Sequence, residues 1–179
     1  THWRSTLRSI RVDARAAVPF SAVHNVIRTL ERNARDRPEQ PAYSFLGERT
    51  TNAEMLERVS ALAAALAEQG IGRGDVVALL LNNCPQFLET TFAVNALGAI
   101  WLPLNYRLHL DEWQYIVDHA EAKLLLTESD FHEAGAALLQ SVPSLETCWT
   151  LAADAPEGWT WFDERLAAHS TAPLRAFAE

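Results

Sequence analysis

Apolar positions are densest in residues 75–107, DVVALLLNNCPQFLETTFAVNALGAIWLPLNYR. Residues 76–81 are a near-continuous apolar run of strand length, and residues 100–104 are a second. Between them Phe87, Leu88, Thr91, Phe92 and residues 94–97 give an apolar stripe at helical spacing, which Gly98 ends. The pattern predicts a strand–helix–strand unit. A strand without polar alternation is buried on both faces, as in parallel sheets covered by helices on each side. Both strands are therefore expected in the middle of a sheet.

The same periodicities extend in both directions. Ser21 is a candidate cap for a helix running to about Arg35, with Val23, Ile27, Leu30 and Ala34 on its buried face. The polar, proline-containing DRPEQP at 36–41 breaks it, and residues 42–46 and 49–51 read as a hairpin turning at Gly47. Thr51 and Glu54 form a capping box, so the next helix starts there, with Leu56, Val59, Leu62 and Leu66 inward and Gly70 as its end. Beyond the central unit the spacing predicts a helix over 109–119 with Leu110, Trp113, Ile116 and Val117 buried, and then a strand over 123–127. A helix over 131–140 capped by Ser129 and Asp130, a strand over 148–151 and a short helix over 161–168 follow. Three alternations of apolar strand and amphipathic helix predict an α/β fold, a Rossmann-like, mainly parallel sheet with helices on both faces. In it 76–81, 100–104 and 123–127 are expected to be central and side by side.

The first eighteen residues carry two patterns. Arg4, Arg8, Arg11 and Arg15 recur at helical spacing beside Trp3, Leu7, Ile10 and Ala14, the arrangement of a helix lying on an anionic membrane surface. Ile10, Val12, Ala14 and Ala16 also alternate with Arg11, Asp13 and Arg15, a period-two strand pattern that suits packing against the rest of the protein. Residues 1–20 are accordingly read as an N-terminal extension and 21–179 as the domain. The chain begins at Thr1 rather than Met, which is read as a processed, cut or engineered start.

A length of 179 residues fits one domain, or one domain with an appendage. The formal charge of −8 argues against nucleic acid as a partner, since phosphate backbone calls for a clustered positive surface. Cys84 and Cys148 are far apart in apolar contexts and read as reduced thiols of a cytoplasmic protein. No apolar run reaches the roughly 18 residues of a transmembrane helix.

Candidate chemistry is sparse. The glycine-rich Gly70-Ile71-Gly72-Arg73-Gly74 suggests a phosphate cradle, but such cradles follow a strand and open a helix, whereas this loop follows a helix and feeds a strand. Gly70 is expected to be a left-handed helix cap instead. His2, His24, His109, His119, His132 and His169 are scattered without metal-ligand spacing. Asp111-Glu112 and Asp118-His119 complement helix dipoles, and Cys84 reads as a small apolar residue at a tight strand-to-helix turn rather than a reactive thiol. No Gly-x-Ser-x-Gly elbow and no Walker loop occurs. No catalytic, cofactor-binding or metal-binding residue is assigned.

The succession NVIRTLERNARDRPEQPAY, TTNAEML, GIGRGDVVALLLNNCPQF and NALGAIWLPLNYRL resembles the N-terminal portion of acyl-CoA synthetases of the adenylate-forming, AMP-binding superfamily, over residues 23–130. Asn52, Asn82, Asn95 and His109-Leu110 depart from the usual residues at positions that are structural in that family. The resemblance implies the N-terminal subdomain of the adenylate-forming fold and a parent enzyme that activates a carboxylic acid, with a fatty acid expected, using ATP, magnesium and coenzyme A. It also implies that the Ser/Thr/Gly-rich phosphate loop, the ribose aspartate and the catalytic lysine belong to later segments. Asn105 and Arg107 match the family's P-L-N-x-R and are expected to order a turn. The fragment alone is expected to be inactive, to bind none of these cofactors tightly and to self-associate. A non-catalytic scaffold and another adenylate-forming ligase are the alternatives.

Overall fold

The computed structural model describes residues 26–170. The proposed Ser21 cap, Val23 and the arginine-rich first eighteen residues lie outside that range. Helix α1 (Val26–Asp36) buries Ile27 and Leu30 and leads into an antiparallel hairpin of β1 (Pro41–Phe45) and β2 (Glu48–Thr51). Its two-residue turn holds Leu46 at φ 50° and Gly47 at φ 90°, the positive dihedrals of a primed hairpin turn. The exposed Leu46 is an unusual occupant of that backbone region.

Helix α2 (Asn52–Glu68) opens on the predicted capping box: Thr51 Oγ1 accepts from Glu54 N–H at 3.2 Å, and Glu54 Oε2 accepts from Thr51 N–H at 2.8 Å. It closes on Gly70 at φ 86°. There Gly70 N–H donates to Ala67 O and Ile71 N–H to Leu66 O, the double bond of a Schellman motif, with Ile71 buried beneath it.

A five-stranded, all-parallel sheet follows, built from β3 (Val76–Leu80), β4 (Ile100–Pro103), β5 (Ala122–Thr127), β6 (Thr147–Thr150) and the two-residue β7 (Thr160–Trp161). The strand order is β4-β3-β5-β6-β7. Helix α3 (Pro85–Ala96) joins β3 to β4, α4 (Leu110–His119) joins β4 to β5, α5 (His132–Ser141) joins β5 to β6, and α6 (Phe162–Ala168) follows β7. One sheet face, through Val77, Leu79, Leu124, Leu126 and Trp149, packs with buried residues of α1, α2, α3 and α6. The other, through Ala78, Leu80, Leu125 and Cys148, packs with α4 and α5. The fold is thus the predicted α/β sheet covered on both faces.

Several expectations need correction. The strands at 76–80, 100–103 and 122–127 are parallel neighbours, but β4 is an edge and not central: Ile100 is 53% and Trp101 36% exposed. An apolar run specifies a strand without specifying how many neighbours it finds. Ile100 and Leu104 N–H donate to Asp75 and Leu79 carbonyls, so the alternate residues Trp101 and Pro103 face outward, and Pro103 has no N–H to offer an additional strand.

Of the expected α3 stripe Val94 and Ala96 are buried and Phe87, Phe92 and Leu97 pack half-buried on the core, but Leu88 is exposed, and Glu89, Thr90 and Ala93 take inward positions. Small residues there let α2 and the sheet approach closely, and Phe87 turns outward to meet Trp101 edge-on at 6.2 Å. Leu110 is likewise exposed, because α4 is held by Trp113 and Val117. Ser129 and Asp130 lie in a single 3-10 turn and cap nothing with their side chains.

Candidate functional site

In open α/β sheets ligands bind outside the carboxyl ends of the strands where the strand order reverses. Here that point lies between β3 and β5, and its floor is Thr127, fully buried, with Oγ1 donating to Leu80 O at 3.1 Å. Asn82 leaves β3 and Glu128 leaves β5. Glu128 Oε1 accepts from the Asn82 backbone N–H at 2.6 Å, so a donor that a phosphate would use is already taken by a carboxylate. One strand further, His132 Nε2 meets Thr150 Oγ1 at 2.7 Å, and Thr150 Oγ1 accepts from Ala152 N–H at 3.1 Å. The His132 ring stands edge-on to Trp159, 5.2 Å between centroids. Asn82 N–H with Glu128, Thr127 with Leu80, and His132 with Thr150 are thus paired, whereas Trp161 Nε1 at the end of β7 is buried without a hydrogen-bond partner among the described residues. An anion placed here would displace Glu128 and meet its charge.

The residues weighed in the sequence take up structural positions. Cys84 is the N-cap residue of α3, half-buried beside Pro85, and makes no side-chain cap hydrogen bond. Burial first, and then the nearby Glu128 and Glu89 carboxylates, push its thiol above the ordinary cysteine range, the opposite of what a nucleophile needs. In the 70–74 loop Gly72 N–H donates to Asp75 Oδ2 at 2.9 Å, and Asp75 pairs with Lys123 at 2.6 Å. Asn105 Oδ1 accepts from Arg107 N–H at 3.0 Å and Asn105 O accepts from Trp113 Nε1 at 2.9 Å, so this motif does order the turn after β4. The Arg107 guanidinium rests 5.5 Å from the centroid of the Tyr106 ring. Asp111 and Glu112 lie in the first turn of α4 and His119 in its last, where His119 also stacks on Tyr115 at 5.7 Å. His169 Nε2 lies 3.4 Å from Glu68 Oε2. His2 and His24 lie outside the described residues, among which no three His, Cys, Asp or Glu side chains come together as a metal site.

Two polar clusters are not visible in the sequence pattern. Glu89, 1% exposed, receives Arg58 through Nε at 2.6 Å and Nη2 at 2.9 Å, and the Tyr43 hydroxyl donates to it at 2.5 Å. The three side chains tie α3, α2 and the hairpin together. Burial, reinforced by the Glu89 hydrogen bond, raises the Tyr43 pKa, and the same carboxylate raises that of Arg58. The one available signal is the single long acidic residue on the small-residue stripe 89, 93, 96. Asn52 is the second case: it is buried, Nδ2 donates to Arg37 O and its N–H to Gln40 O, both at 2.9 Å, which fixes the DRPEQP break to the start of α2.

Among the described residues, the Asn82 and Ala152 N–H groups at the carboxyl end of the sheet are held by protein acceptors. The chain's kinship carries the functional information. Residues 30–175 match the family model described as AMP-binding enzyme. A feruloyl-CoA synthase of Amycolatopsis sp is 38% identical over 107 residues, 60% of this chain. A long-chain-fatty-acid–CoA ligase of Thermus thermophilus is 36% identical over 118 residues, 66% of this chain. The chain spans 22% of the length of each. Among solved structures, one from Rhodopseudomonas palustris named as a long-chain-fatty-acid CoA ligase superposes with a TM-score of 0.76 at 28% identity, covering 87% of this chain and 38% of that one. An anthranilate CoA ligase in complex with anthranoyl-AMP gives 0.78 at 23% identity, covering 86% and 30%, a likeness of fold. With the parallel sheet, its two helical layers and a family match running through nearly all of it, the chain belongs to the AMP-binding enzymes, with adenylate-forming CoA ligases as its relatives.

Proposed function

We propose that this chain is the N-terminal part of the AMP-binding domain of an ATP-dependent fatty-acyl-CoA synthetase. The parent joins a fatty carboxylate to ATP, releasing pyrophosphate and forming an acyl-adenylate, and then passes the acyl group to the thiol of coenzyme A, releasing AMP. Magnesium accompanies ATP. The observation that carries this reading is the family match over residues 30–175, and the Thermus relative supports the fatty-acid assignment. Residues 26–170 serve as scaffold, and the phosphate-holding and acyl-transferring groups come from elsewhere in the parent. The fragment by itself is therefore inactive, and its apolar β4 margin favours self-association. The free thiols of Cys84 and Cys148 and the ATP and coenzyme A requirement suit the cytoplasm. No helix among the described residues is long and apolar enough to cross a membrane.

A second reading, activation of an aromatic acid, is favoured by the feruloyl-CoA synthase similarity. Carboxylate-dependent pyrophosphate exchange by the full-length parent, with magnesium and ATP, separates the two. Medium- and long-chain fatty acids should support exchange and coenzyme A consumption. Exchange with hydroxycinnamates or benzoates alone would transfer the assignment to the second reading, and none with any acid would leave a scaffold. Activity of the 179-residue chain alone would refute the assignment of chemistry to other segments.

A further inference from the structure

Charge is distributed unevenly along this chain. Residues 26–170 hold ten Lys and Arg against twenty-one Asp and Glu, whereas residues 1–25 hold four Arg against the single Asp13. Among the described residues the acidic body has a groove with acidic rims that suits the basic segment. It lies between α2 and α6, encloses about 360 Å³, and has Ala61, Leu166 and Ala167 as an apolar floor with Glu57 and Asp163 on its rims. Both rim carboxylates are exposed, and neither forms an ion pair among the described residues. Arg58 also lines the groove; its guanidinium is turned to Glu89 and also feels the Asp163 charge.

We propose that residues 1–18 dock in cis along this groove, with the apolar stripe of Trp3, Leu7, Ile10 and Ala14 on the floor and the neighbouring arginines toward Glu57 and Asp163. The reach is sufficient. Asn52, at the start of α2, holds Arg37 O just beyond the end of α1, and α1 packs on α2, so the two helices run antiparallel. Eleven residues of α1 rise about 16 Å, which brings Val26 to about the level of Ala61 on α2. Passing round α2 takes about one helix diameter, 10–12 Å, and residues 19–25 span up to about 24 Å when extended. Ala61 and Leu166 keep little free surface, so the attraction comes from several arginine–carboxylate contacts acting together, each small when exposed, and it is sensitive to salt. The segment is thereby a part of this fold and not a membrane anchor.

The test is limited trypsin digestion of the full chain, following cleavage after Arg4, Arg8, Arg11 and Arg15 by mass spectrometry, beside the free peptide of residues 1–25. Docking predicts cleavage about tenfold slower than in the peptide at low salt, since a bound segment is cut only when it opens. The difference should disappear at about 0.5 M NaCl and in the Glu57→Gln/Asp163→Asn chain. An Arg11→Glu/Arg15→Glu chain, which leaves the body untouched, should be cut after Arg8 as fast as the peptide. Wild-type cleavage at the peptide rate overturns the proposal, as does protection that survives both sets of charge changes. An unprotected segment that instead carries the chain onto phosphatidylserine vesicles overturns it in favour of a membrane surface.

Discussion

Arg58 grips the carboxylate of Glu89 with two nitrogens, at 2.6 and 2.9 Å, although the two residues come from different helices thirty-one positions apart. Glu89 is sealed from water while Arg58 keeps about a third of its side chain exposed. The pair therefore places one charge fully inside and leaves its partner half-solvated.

Removing Arg58 should cost more than removing the pair. Arg58→Ala leaves a buried carboxylate with only the Tyr43 hydroxyl, and a loss of about 2–4 kcal/mol in urea unfolding is expected. An Arg58→Met/Glu89→Leu chain, which deletes both charges and keeps the volume, should recover most of that stability. Arg58→Ala with an unchanged midpoint would show that the pair is not structural.

The Tyr43 pKa is raised in the folded chain, by burial first and then by Glu89. The native state thus holds the phenolic proton more tightly than the unfolded state. Its contribution is fully present below the ordinary tyrosine pKa near 10 and is lost as pH rises through the higher folded value. Asp75 has the opposite sign: the Lys123 hydrogen bond lowers its pKa, so its contribution is present above the ordinary aspartate range and is lost as pH falls through the folded value. Urea midpoints across pH should fall at both ends, and Asp75→Asn should make the acid limb shallower and, because Asp75 also raises the Lys123 pKa, remove part of the alkaline limb.

Two glycines should fail for different reasons. No atom lies within 4 Å of a Cβ built at Gly70, but its φ of 86° strains any L side chain, so Gly70→Ala should cost about 1 kcal/mol. At Gly135 a Cβ would stand 2.6 Å from Trp159 Cη2. Gly135→Ala must displace that indole, at about 1–3 kcal/mol. Trp159→Leu should relieve the second defect and leave the first untouched; thermal melts of the double variants read the difference.

Burial raises both thiols, Cys148 to about 12 and Cys84 in the same direction with less burial behind it. Native protein treated with iodoacetamide at neutral pH should take one adduct, slowly and at Cys84, and two once unfolded. Prompt labelling of Cys148 in the native state would contradict its position under Gly135 and the β5–β6 core.

Local signals were enough for what short range decides. The Thr51–Glu54 box, the Gly47 turn, the Gly70 cap and the apolar runs of β3 and β5 each express a preference held within a few residues. From these signals came the α/β class, and from the succession of motifs the kinship. Tertiary structure alone decided which of two equally apolar strands became the edge, because burial depends on neighbours that periodicity does not name. It also decided that Glu89 faces inward while Leu88 and Leu110 face out. A buried carboxylate is tolerable only when Arg58 and Tyr43, from elements far away in sequence, converge on it, and no local pattern records that convergence.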